Sequence, residues 1–435
     1  MENNGKVGLI TLDPGHFHAS LIQKTMYTQV DSNVYVFAPA GNDLDDHLKR
    51  IGDYNNRSEH PTRWNEIVYK GPDFLEKMLA EKPGNVVVLA GNNQKKTQYI
   101  KASVEAGLNV LSDKPMAINM DNFNLLKESF EVAREKGVLL YDIMTERSEI
   151  TTILQKEFSM NPDIFGTLEK GTHDNPAITK ESVHHYYKFV SGAALKRPAW
   201  FFDVLQQGEG IVDVTSHLVD LIQWECFPEQ ILDYTHDIEV IDAKRWPTSI
   251  LLSEFEEVTK LPAYPEFLLR DVQDTILKVY ANGEINYKIK GVSARVSVVW
   301  NFKAPEGGGD THYSMMRGTR ANLIIRQGRE QNYKPTLFIE PVGEINADEY
   351  AGLLSEAVRM IQAKYPGVEV KRTTGYWEVE IPDKYRIGHE EHFAQVTERY
   401  LQYLKDGKLP DWEVPNMLAK YYTLAKALEI AQQKK

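Results

Sequence analysis

An acid and a histidine stand four residues apart in the apolar stretch from Gly208 to Asp220, at Asp213 and His217. On a helix this spacing places both side chains on one face, one turn apart. Burying an acid and an imidazole costs free energy unless the two groups satisfy each other or a ligand. An imidazole also titrates near neutral pH, which suits a proton acceptor. The stretch alone is equally compatible with a structural Asp–His pair and with acid–base chemistry.

A second polar group, Asp113-Lys114-Pro115, follows an apolar segment from Leu108 to Leu111 that is predicted to be a strand. The next helix is predicted to start near Asn119. In an α/β sheet, a lysine at the end of a strand points into the crevice where such folds bind ligands. We therefore expect Lys114 to contact a ligand.

The two groups together resemble the Gfo/Idh/MocA family of nicotinamide-dependent sugar oxidoreductases, and the resemblance runs through most of the chain. In that family a Glu-Lys-Pro triplet ends the fifth strand of a Rossmann domain, and Asp113 replaces the glutamate here. A glycine-rich turn then leads into an Asp-x-x-x-His helix in the second domain. The resemblance implies that Lys114 and His217 flank the reacting hydroxyl and carry the proton transfer. It also implies that Asp213 holds substrate hydroxyls or orients the imidazole.

Oxidation of a secondary alcohol requires a nicotinamide within hydride reach, a base for the hydroxyl proton and groups that stabilise the developing charge. We expect Lys114 and His217 to meet over the nicotinamide of NAD or NADP. An acid near the end of the second strand usually indicates NAD, and an arginine there indicates NADP. Here the acids Asp43, Asp45 and Asp46 come several residues after the strand, and no arginine follows it directly. The sequence therefore does not decide between the two cofactors.

The predicted nucleotide turn lies between a strand from Val7 to Leu12 and a helix that begins at Ala19. The usual G-x-G-x-x-G pattern is missing, because Thr11 and Asp13 stand where the first two glycines are expected. We predict that the dinucleotide is held with less contact from glycine backbone. The predicted cofactor-binding residues are Thr11, Asp13, Gly15, His16, Phe17, His18, Asn92, Asn93, Lys114 and Pro115.

Strands and helices alternate as far as Ile143, which predicts six βα units and a doubly wound parallel sheet. A helix from Ser148 starts the second domain, so the predicted domains are 1–147, which binds the dinucleotide, and 148–435. Period-two alternation and turn residues predict an α+β second domain with a large mixed or antiparallel sheet. Its predicted elements include Asp274 to Ala281, Glu284 to Lys290, a turn at Asn282-Gly283, a hairpin within Pro366 to Ile381, and helices His389 to Asp406 and Asn416 to Gln432.

The substrate site is predicted from scattered polar and aromatic residues. The His184-His185 pair is expected in a loop, and Arg197 with Trp200 could place an aromatic platform under a sugar ring, although core packing explains that pair as well. The predicted substrate-binding residues are His184, His185, Trp200, Asp213 and His312. No H-E-x-x-H or similar spacing is present, so no metal site is predicted.

Composition limits the possible partners. A chain of 435 residues is too long for one simple core, and a net charge of −12 argues against nucleic acid or an anionic membrane as partner. The single Cys226 excludes an intramolecular disulfide, and no apolar run is long enough to cross a bilayer. The polar start of the chain has no export signal, so we expect a cytoplasmic protein, or a periplasmic one if a signal was trimmed. The family implies a homo-oligomer, either dimer or tetramer.

The predicted function is a nicotinamide-dependent oxidoreductase acting on a secondary hydroxyl of a sugar, glycoside or polyol. One alternative is NAD-dependent cleavage of a glycoside by transient oxidation, as in a glycosidase or lyase, which would not consume cofactor. Another is a non-enzymatic sugar or nucleotide sensor. The altered turn at Thr11 and Asp13 favours the sensor, whereas retention of Lys114, Asp213 and His217 opposes it.

Overall fold

The structure is a computed structural model that describes residues 5–190, 193–343 and 345–434. The strands in chain order are β1 (Leu9–Leu12), β2 (Asn33–Ala38), β3 (Asn65–Lys70), β4 (Val86–Leu89), β5 (Asn109–Asp113), β6 (Leu140–Ile143), β7 (Ile178–Tyr187), β8 (Phe189–Val190), β9 (Ala193–Ala194), β10 (Ile238–Ile250), β11 (Val272–Gln273), β12 (Ile276–Ile289), β13 (Val292–Lys303), β14 (Thr311–Arg317), β15 (Ala321–Arg326), β16 (Thr336–Pro341), β17 (Glu369–Arg372) and β18 (Trp377–Glu380). The α-helices are α1 (His18–Leu21), α2 (Asn42–Asn56), α3 (Phe74–Glu81), α4 (Lys96–Glu105), α5 (Met120–Lys136), α6 (Ile150–Ser159), α7 (Val204–Gln207), α8 (Thr215–Cys226), α9 (Leu252–Thr259), α10 (Ala347–Gln362), α11 (His389–Asp406) and α12 (Glu413–Gln433).

The first compact unit is built on a six-stranded parallel sheet in the order β3-β2-β1-β4-β5-β6. Every residue of β1 and β4 is buried, as expected for the central strands of a sheet covered on both faces. This is the doubly wound order, in which ligands bind beside the carboxyl ends of β1 and β4. The structure thus confirms the predicted Rossmann domain.

The second compact unit contains a ten-stranded sheet with the main order β10-β12-β13-β7-β14-β15-β16-β18-β17 and with β11 paired to β12. Strands β13 and β7 pair in parallel, while the other described ladders of this sheet are antiparallel. Helices α6 and α10 bury apolar side chains against strands β15, β16 and β18, for example Phe158, Tyr350 and Leu354. The sheet is therefore mixed, which is one of the two predicted arrangements.

The division of the chain differs from the contiguous one that the sequence predicts. The first unit comprises Met1–Thr145, Pro198–Gly208 and His389–Ala425, and the rest forms the second unit. Two side-chain contacts tie the late segments to the first sheet. Asn93 Nδ2 donates to the carbonyl of Gln207 at 2.7 Å, and Lys420 Nζ lies 2.6 Å from Asp142 Oδ2. Periodicity cannot reveal such contacts, because it reports only which face of a segment is buried.

The predicted turn at Asn282-Gly283 is wrong, because both residues lie inside the continuous strand β12. A Cβ added to Gly283 would lie 2.6 Å from Cβ of Ile211, so the glycine makes room for a neighbouring segment. Asn282 Nδ2 donates to the carbonyl of Trp246 at 2.9 Å on the paired strand. The glycine inside this strand marks a close approach of another segment. An Asn-Gly pair in the sequence cannot distinguish such an approach from a hairpin turn.

The elements at the end of the chain agree with the sequence pattern. Strands β17 and β18 form the predicted hairpin, and α11 has the predicted bounds. Helix α12 starts three residues before the predicted Asn416, at Glu413. Within the described parts of the chain, no helix is long and apolar enough to cross a membrane.

Candidate active site

The turn after β1 is closed by the protein's own hydrogen bonds. Asp13 has a φ of 48°, in the left-handed region that residues other than glycine rarely adopt. The amide of Asp13 donates to Phe37, while the amides of Gly15 and His16 both donate to the carbonyl of Ala90 at 3.2 Å. Two N–H groups that such a turn usually offers to a pyrophosphate are therefore bonded to the end of β4.

Gly15 faces two side chains that leave little room for a methyl group. A Cβ added there would lie 3.0 Å from Asp43 Oδ2 and 3.3 Å from the Trp200 ring. Trp200 belongs to a short 3₁₀ turn, Ala199–Phe202, and its Nε1 donates to Asp43 Oδ2 at 2.8 Å. The structure thus places Trp200 beside the nucleotide turn of the first unit, and its predicted contact with substrate stays a prediction.

The two asparagines after β4 hold the α7 segment in the first unit. Asn92 Nδ2 donates to Gln206 Oε1 at 2.6 Å, and the buried Asn93 donates to the carbonyl of Gln207. Thr11, the first of the predicted nucleotide residues, is buried within β1. The direct cofactor contacts predicted for these residues remain predictions.

The Asp113-Lys114-Pro115 triplet stands at the carboxyl end of β5, as predicted. Asp113 is the last residue of the strand and is buried, whereas Lys114 is half-buried. The buried Lys96 donates to the main-chain carbonyl of Asp113 at 3.1 Å. A lysine at this end of a parallel strand is positioned for a ligand of the crevice.

Two histidines of the turn after β1 converge on the carboxylate of Asp113. His18 Nδ1 lies 2.9 Å from Asp113 Oδ2, and His16 Nδ1 lies 3.8 Å from the same oxygen. The two imidazole rings meet edge to face, with their centroids 4.1 Å apart. A separation of 95 residues between His18 and Asp113 hides this cluster from sequence spacing.

In the second unit, Asp213 and His217 lie where a glycine-bearing turn enters α8. The helix begins at Thr215, so Asp213 lies in the turn before it and not on the helix as predicted. The amide of Asp213 donates to the carbonyl of Glu209 at 3.1 Å, and Ser216 Oγ donates to the carbonyl of Asp213 at 2.5 Å. Asp213 is buried and His217 is half-buried.

This turn is docked on β12 through Gly210. A Cβ added to Gly210 would lie 1.7 Å from the carbonyl oxygen of Ala281, a distance that no side chain can occupy. The amide of Gly210 donates to the carbonyl of Tyr280, and Thr215 Oγ1 donates back to the carbonyl of Gly210 at 2.8 Å. Backbone contacts therefore fix the start of α8.

Asp220, three residues after His217, forms a bidentate ion pair with Arg147. Two of the three guanidinium nitrogens of Arg147, Nε and Nη2, each lie 2.7 Å from a carboxylate oxygen of Asp220, and both side chains are buried. A buried ion pair of this kind is costly to break, because one charge is then left without its counterion. Asp220 consequently anchors the helix that carries His217.

The histidine pair predicted for a loop lies in strand β7 instead, and His185 is buried. His185 Nδ1 lies 2.9 Å from Asp310 Oδ1, and His184 Nδ1 and Lys188 Nζ lie 3.4 Å and 3.1 Å from Oδ2. Burial raises the pKa of Asp310, but the two histidine hydrogen bonds and the charge of Lys188 outweigh it, so the pKa is well below its usual value. Asp310 was missed by the sequence analysis, and the only signal was an acid that ends the glycine run beginning at Gly307.

A mostly buried aromatic cluster lies near this carboxylate. The Trp300 ring stacks on His184 with centroids 5.1 Å apart, and the Arg197 guanidinium lies 5.2 Å from the centre of the Trp300 ring. Burial lowers the pKa of Arg197 to about 10, partly opposed by Tyr186, Asp310 and Asp213. Within the second unit, Trp300 is thus the aromatic partner of Arg197.

His312, predicted to bind substrate, lies half-buried in β14 and pairs with Ser182 across the sheet. Burial and then the charge of Lys180 lower the pKa of His312 to about 4, so its imidazole is neutral at physiological pH. Its role in substrate binding remains a prediction.

A Rossmann unit followed by a mixed-sheet unit with an Asp-x-x-x-His turn defines a class of dinucleotide-dependent oxidoreductases. A model of the oxidoreductase family with an NAD-binding Rossmann fold matches residues 38–142, and a model of an oxidoreductase C terminal domain matches 154–432. The chain belongs to the Gfo/Idh/MocA oxidoreductase family. This confirms the resemblance and the prediction of a nicotinamide dinucleotide cofactor.

Solved structures agree with this assignment. A crystal structure of a presumed oxidoreductase from Parabacteroides merdae ATCC 43184 is 61% identical, with a TM-score of 0.97 over 99% of this chain and 98% of that chain. Levoglucosan dehydrogenase with NADH and levoglucosan shares the fold at 13% identity, with a TM-score of 0.62 over 98% of each chain. GenD2 from gentamicin A biosynthesis, in complex with NAD, shares it at 15% identity, with a TM-score of 0.60 over 100% and 97%. A search of the curated proteins returns no match.

Proposed function

We propose that this protein transfers a hydride between a nicotinamide dinucleotide and the carbon of a secondary hydroxyl in a sugar, glycoside or polyol. The observation that carries the proposal is the rigid presentation of Asp213 and His217 at the start of α8. Gly210 docks the turn on β12, and Asp220 anchors the helix to Arg147. Catalytic groups must keep one geometry relative to the substrate, and such backbone and ion-pair contacts hold a group in one geometry.

One feature of the first unit fits the cofactor. Lys114 brings a cation to the carboxyl end of β5, where sheets of this order bind their ligands. We expect the turn from Asp13 to His18 to lie along the pyrophosphate. When bound, the nicotinamide supplies the acceptor or donor of the hydride.

The protein side chains are proposed to handle the proton and the charge. His217 accepts the hydroxyl proton during oxidation, because a neutral imidazole is a base near physiological pH. The Lys114 ammonium stabilises the negative charge that develops on the substrate oxygen. Asp213 orients the imidazole or binds a neighbouring hydroxyl. Lys114 belongs to the first unit and His217 to the second, so their meeting over one substrate is part of the proposal.

A carbohydrate is proposed as the substrate class because of the surface around Asp310 in the second unit. Asp310 and Lys188 are partly exposed charged groups, which can exchange hydrogen bonds with the hydroxyls of a carbohydrate. His184 and His185 hold the carboxylate in place. We also propose that the protein works as a homo-oligomer, which size-exclusion chromatography with light scattering would test.

The first test measures binding and turnover of the cofactor. NADH and NADPH would be titrated by fluorescence, and oxidised cofactor would be incubated with a panel of sugars, glycosides and polyols. We expect binding of at least one dinucleotide and net reduction with some substrate. Glycoside cleavage without net reduction would support the transient-oxidation alternative. Failure of both dinucleotides to bind at millimolar levels would contradict the proposal and favour a sensor.

The second test removes the proposed base. His217→Ala should lower the oxidation rate by roughly a hundredfold to ten-thousandfold, the usual cost of losing a positioned general base. Binding of NADH should not change, because His217 belongs to the second unit. Asp213→Asn should cost less. His236→Ala, which removes an exposed histidine paired with Asp233, is the matched control and should keep the wild-type rate.

The pH profile separates a base from a structural histidine. If His217 accepts the proton, wild-type oxidation falls as the pH is lowered and the imidazole becomes protonated. The His217→Ala variant should lose that acidic limb. A variant with a near-wild-type rate and the same acidic limb would identify His217 as a structural residue.

A further inference from the structure

Three potential metal ligands of the first unit meet beside the turn after β1. His16, His18 and Asp113 each offer one ligand atom, and these atoms all lie within 4.8 Å of one another. His16 and His18 flank Phe17 in the turn, and Asp113 ends β5. We propose that these three side chains bind one divalent transition metal ion.

The measured separations suit a tetrahedral ion. Metal–ligand bonds of about 2.0–2.1 Å place the ligand atoms of a tetrahedral site about 3.3 Å apart. The distances from Asp113 Oδ2, 2.9 Å to His18 Nδ1 and 3.8 Å to His16 Nδ1, lie on either side of that value. Small rotations of two imidazoles are enough to reach the required geometry. A metal ion would replace the hydrogen bond between His18 Nδ1 and Asp113 Oδ2.

The surroundings support a fixed site. Asp113 and His18 are buried, and His16 is half-buried, so the ion would be reached from the side of His16. The Phe393 ring lies 4.6 Å from the His18 ring, and Phe201 stacks parallel to His16 at 6.4 Å. Lys96 Nζ donates to the main-chain carbonyl of Asp113 at 3.1 Å and so helps to fix the position of this residue. Such packing limits the rotations available to the ligands.

The ligand set indicates the class of ion. Imidazole nitrogen suits zinc, copper, iron and nickel, whereas magnesium and calcium prefer oxygen ligands alone. Two histidines and one carboxylate leave at least one position open to an exchangeable oxygen ligand. The bound ion would also place a positive charge at a turn in which the amides of Gly15 and His16 already donate to the carbonyl of Ala90. We therefore expect zinc or cobalt to bind and magnesium not to bind.

The test uses the full chain without any nicotinamide dinucleotide, so its result is independent of the proposed oxidoreductase activity. Protein stripped with a chelator and dialysed would be titrated with Zn²⁺ by calorimetry and with Co²⁺ by visible absorption. We expect one equivalent to bind. His16→Ala, His18→Ala and Asp113→Asn should each weaken binding at least about tenfold. Binding should also weaken at lower pH, because protons compete for the same imidazoles.

The control is His236→Ala, which removes a surface histidine whose Nδ1 lies 2.8 Å from Asp233 Oδ2. Its zinc affinity should equal that of the wild type. If His18→Ala fails to fold, His16→Ala still tests the proposal. His16 is the most exposed of the three ligands, so its replacement disturbs the packing least. The proposal is overturned by no stoichiometric binding, or by weak binding that all three variants leave unchanged, which would mean an adventitious ion only.

Discussion

The turn after β1 and the turn before α8 carry the candidate chemistry of the two units, and they use glycine in opposite ways. The β1 turn retains only Gly15, and the tightest contacts of an added Cβ there would be with the side chains of Asp43 and Trp200. The α8 turn depends on Gly210, which lies against the main chain of Ala281. A side chain can move aside, but a backbone carbonyl inside a sheet cannot.

The comparison explains why the nucleotide turn tolerates Thr11 and Asp13 where glycines are expected. Its amides bond to the end of β4, and the side chains that face Gly15 can shift. The α8 turn has no such freedom, because its geometry is set by packing on β12. Glycine is therefore indispensable where an added Cβ would meet a main-chain carbonyl, and replaceable where it would press mainly on side chains.

The largest expected effect follows for Gly210→Ala. The added Cβ would collide with the carbonyl of Ala281, so we expect a loss of more than about 3 kcal/mol in the free energy of unfolding, or no soluble protein. Gly352→Ala in α10 is the control, because its Cβ would meet nothing within 4 Å. That variant should gain about 0.5–1 kcal/mol. Denaturant unfolding measures both, and a wild-type stability for Gly210→Ala would show that the turn can move off β12.

Features that depend on a local sequence pattern could be predicted, whereas the exact start of a helix could not. The Rossmann strands were predictable because runs such as Val86–Leu89 are apolar on both faces. The lysine after β5 was predictable because strand ends face the ligand crevice. The four-residue spacing of Asp213 and His217 predicts one continuous helix, but α8 begins only at Thr215, so the spacing does not locate the helix start.

Contacts between distant segments could not be predicted. Three of these contacts join segments that are far apart in the chain. They are Ile211 with Gly283, the His184-His185 pair with Asp310, and His18 with Asp113. Each of these contacts depends on which strands become neighbours. Periodicity reports burial of a face and carries no information about its partner.

A smaller effect is expected for Gly15→Ala in the nucleotide turn. The new Cβ would press on Asp43 and Trp200, which can shift by a few tenths of an ångström at the cost of weakening their hydrogen bond. We expect a loss of about 1 kcal/mol, the usual net value of one hydrogen bond. Gly41→Ala, whose Cβ would meet nothing, is the control and should be nearly neutral. A loss as large as that of Gly210→Ala, measured by the same unfolding experiment, would contradict the distinction between the two turns.

The smallest effect is expected for Asp13→Asn. Burial raises the pKa of Asp13, with Tyr99 and Lys95 opposing, so the folded protein disfavours the carboxylate. For an acid with a raised pKa, the stabilising contribution is present below the unfolded pKa and is lost as pH rises through the folded pKa. Asparagine also tolerates the left-handed backbone at this position.

Asp13→Asn should therefore raise the free energy of unfolding at neutral pH by no more than about 1 kcal/mol, and the gain should shrink as the pH is lowered. Thermal unfolding across a pH series measures it, with Asp411→Asn as an exposed control for the loss of one charge. A variant less stable than the wild type at neutral pH would mean that the carboxylate is held ionised. The nucleotide turn would then depend on its side-chain charge as strictly as the α8 turn depends on Gly210.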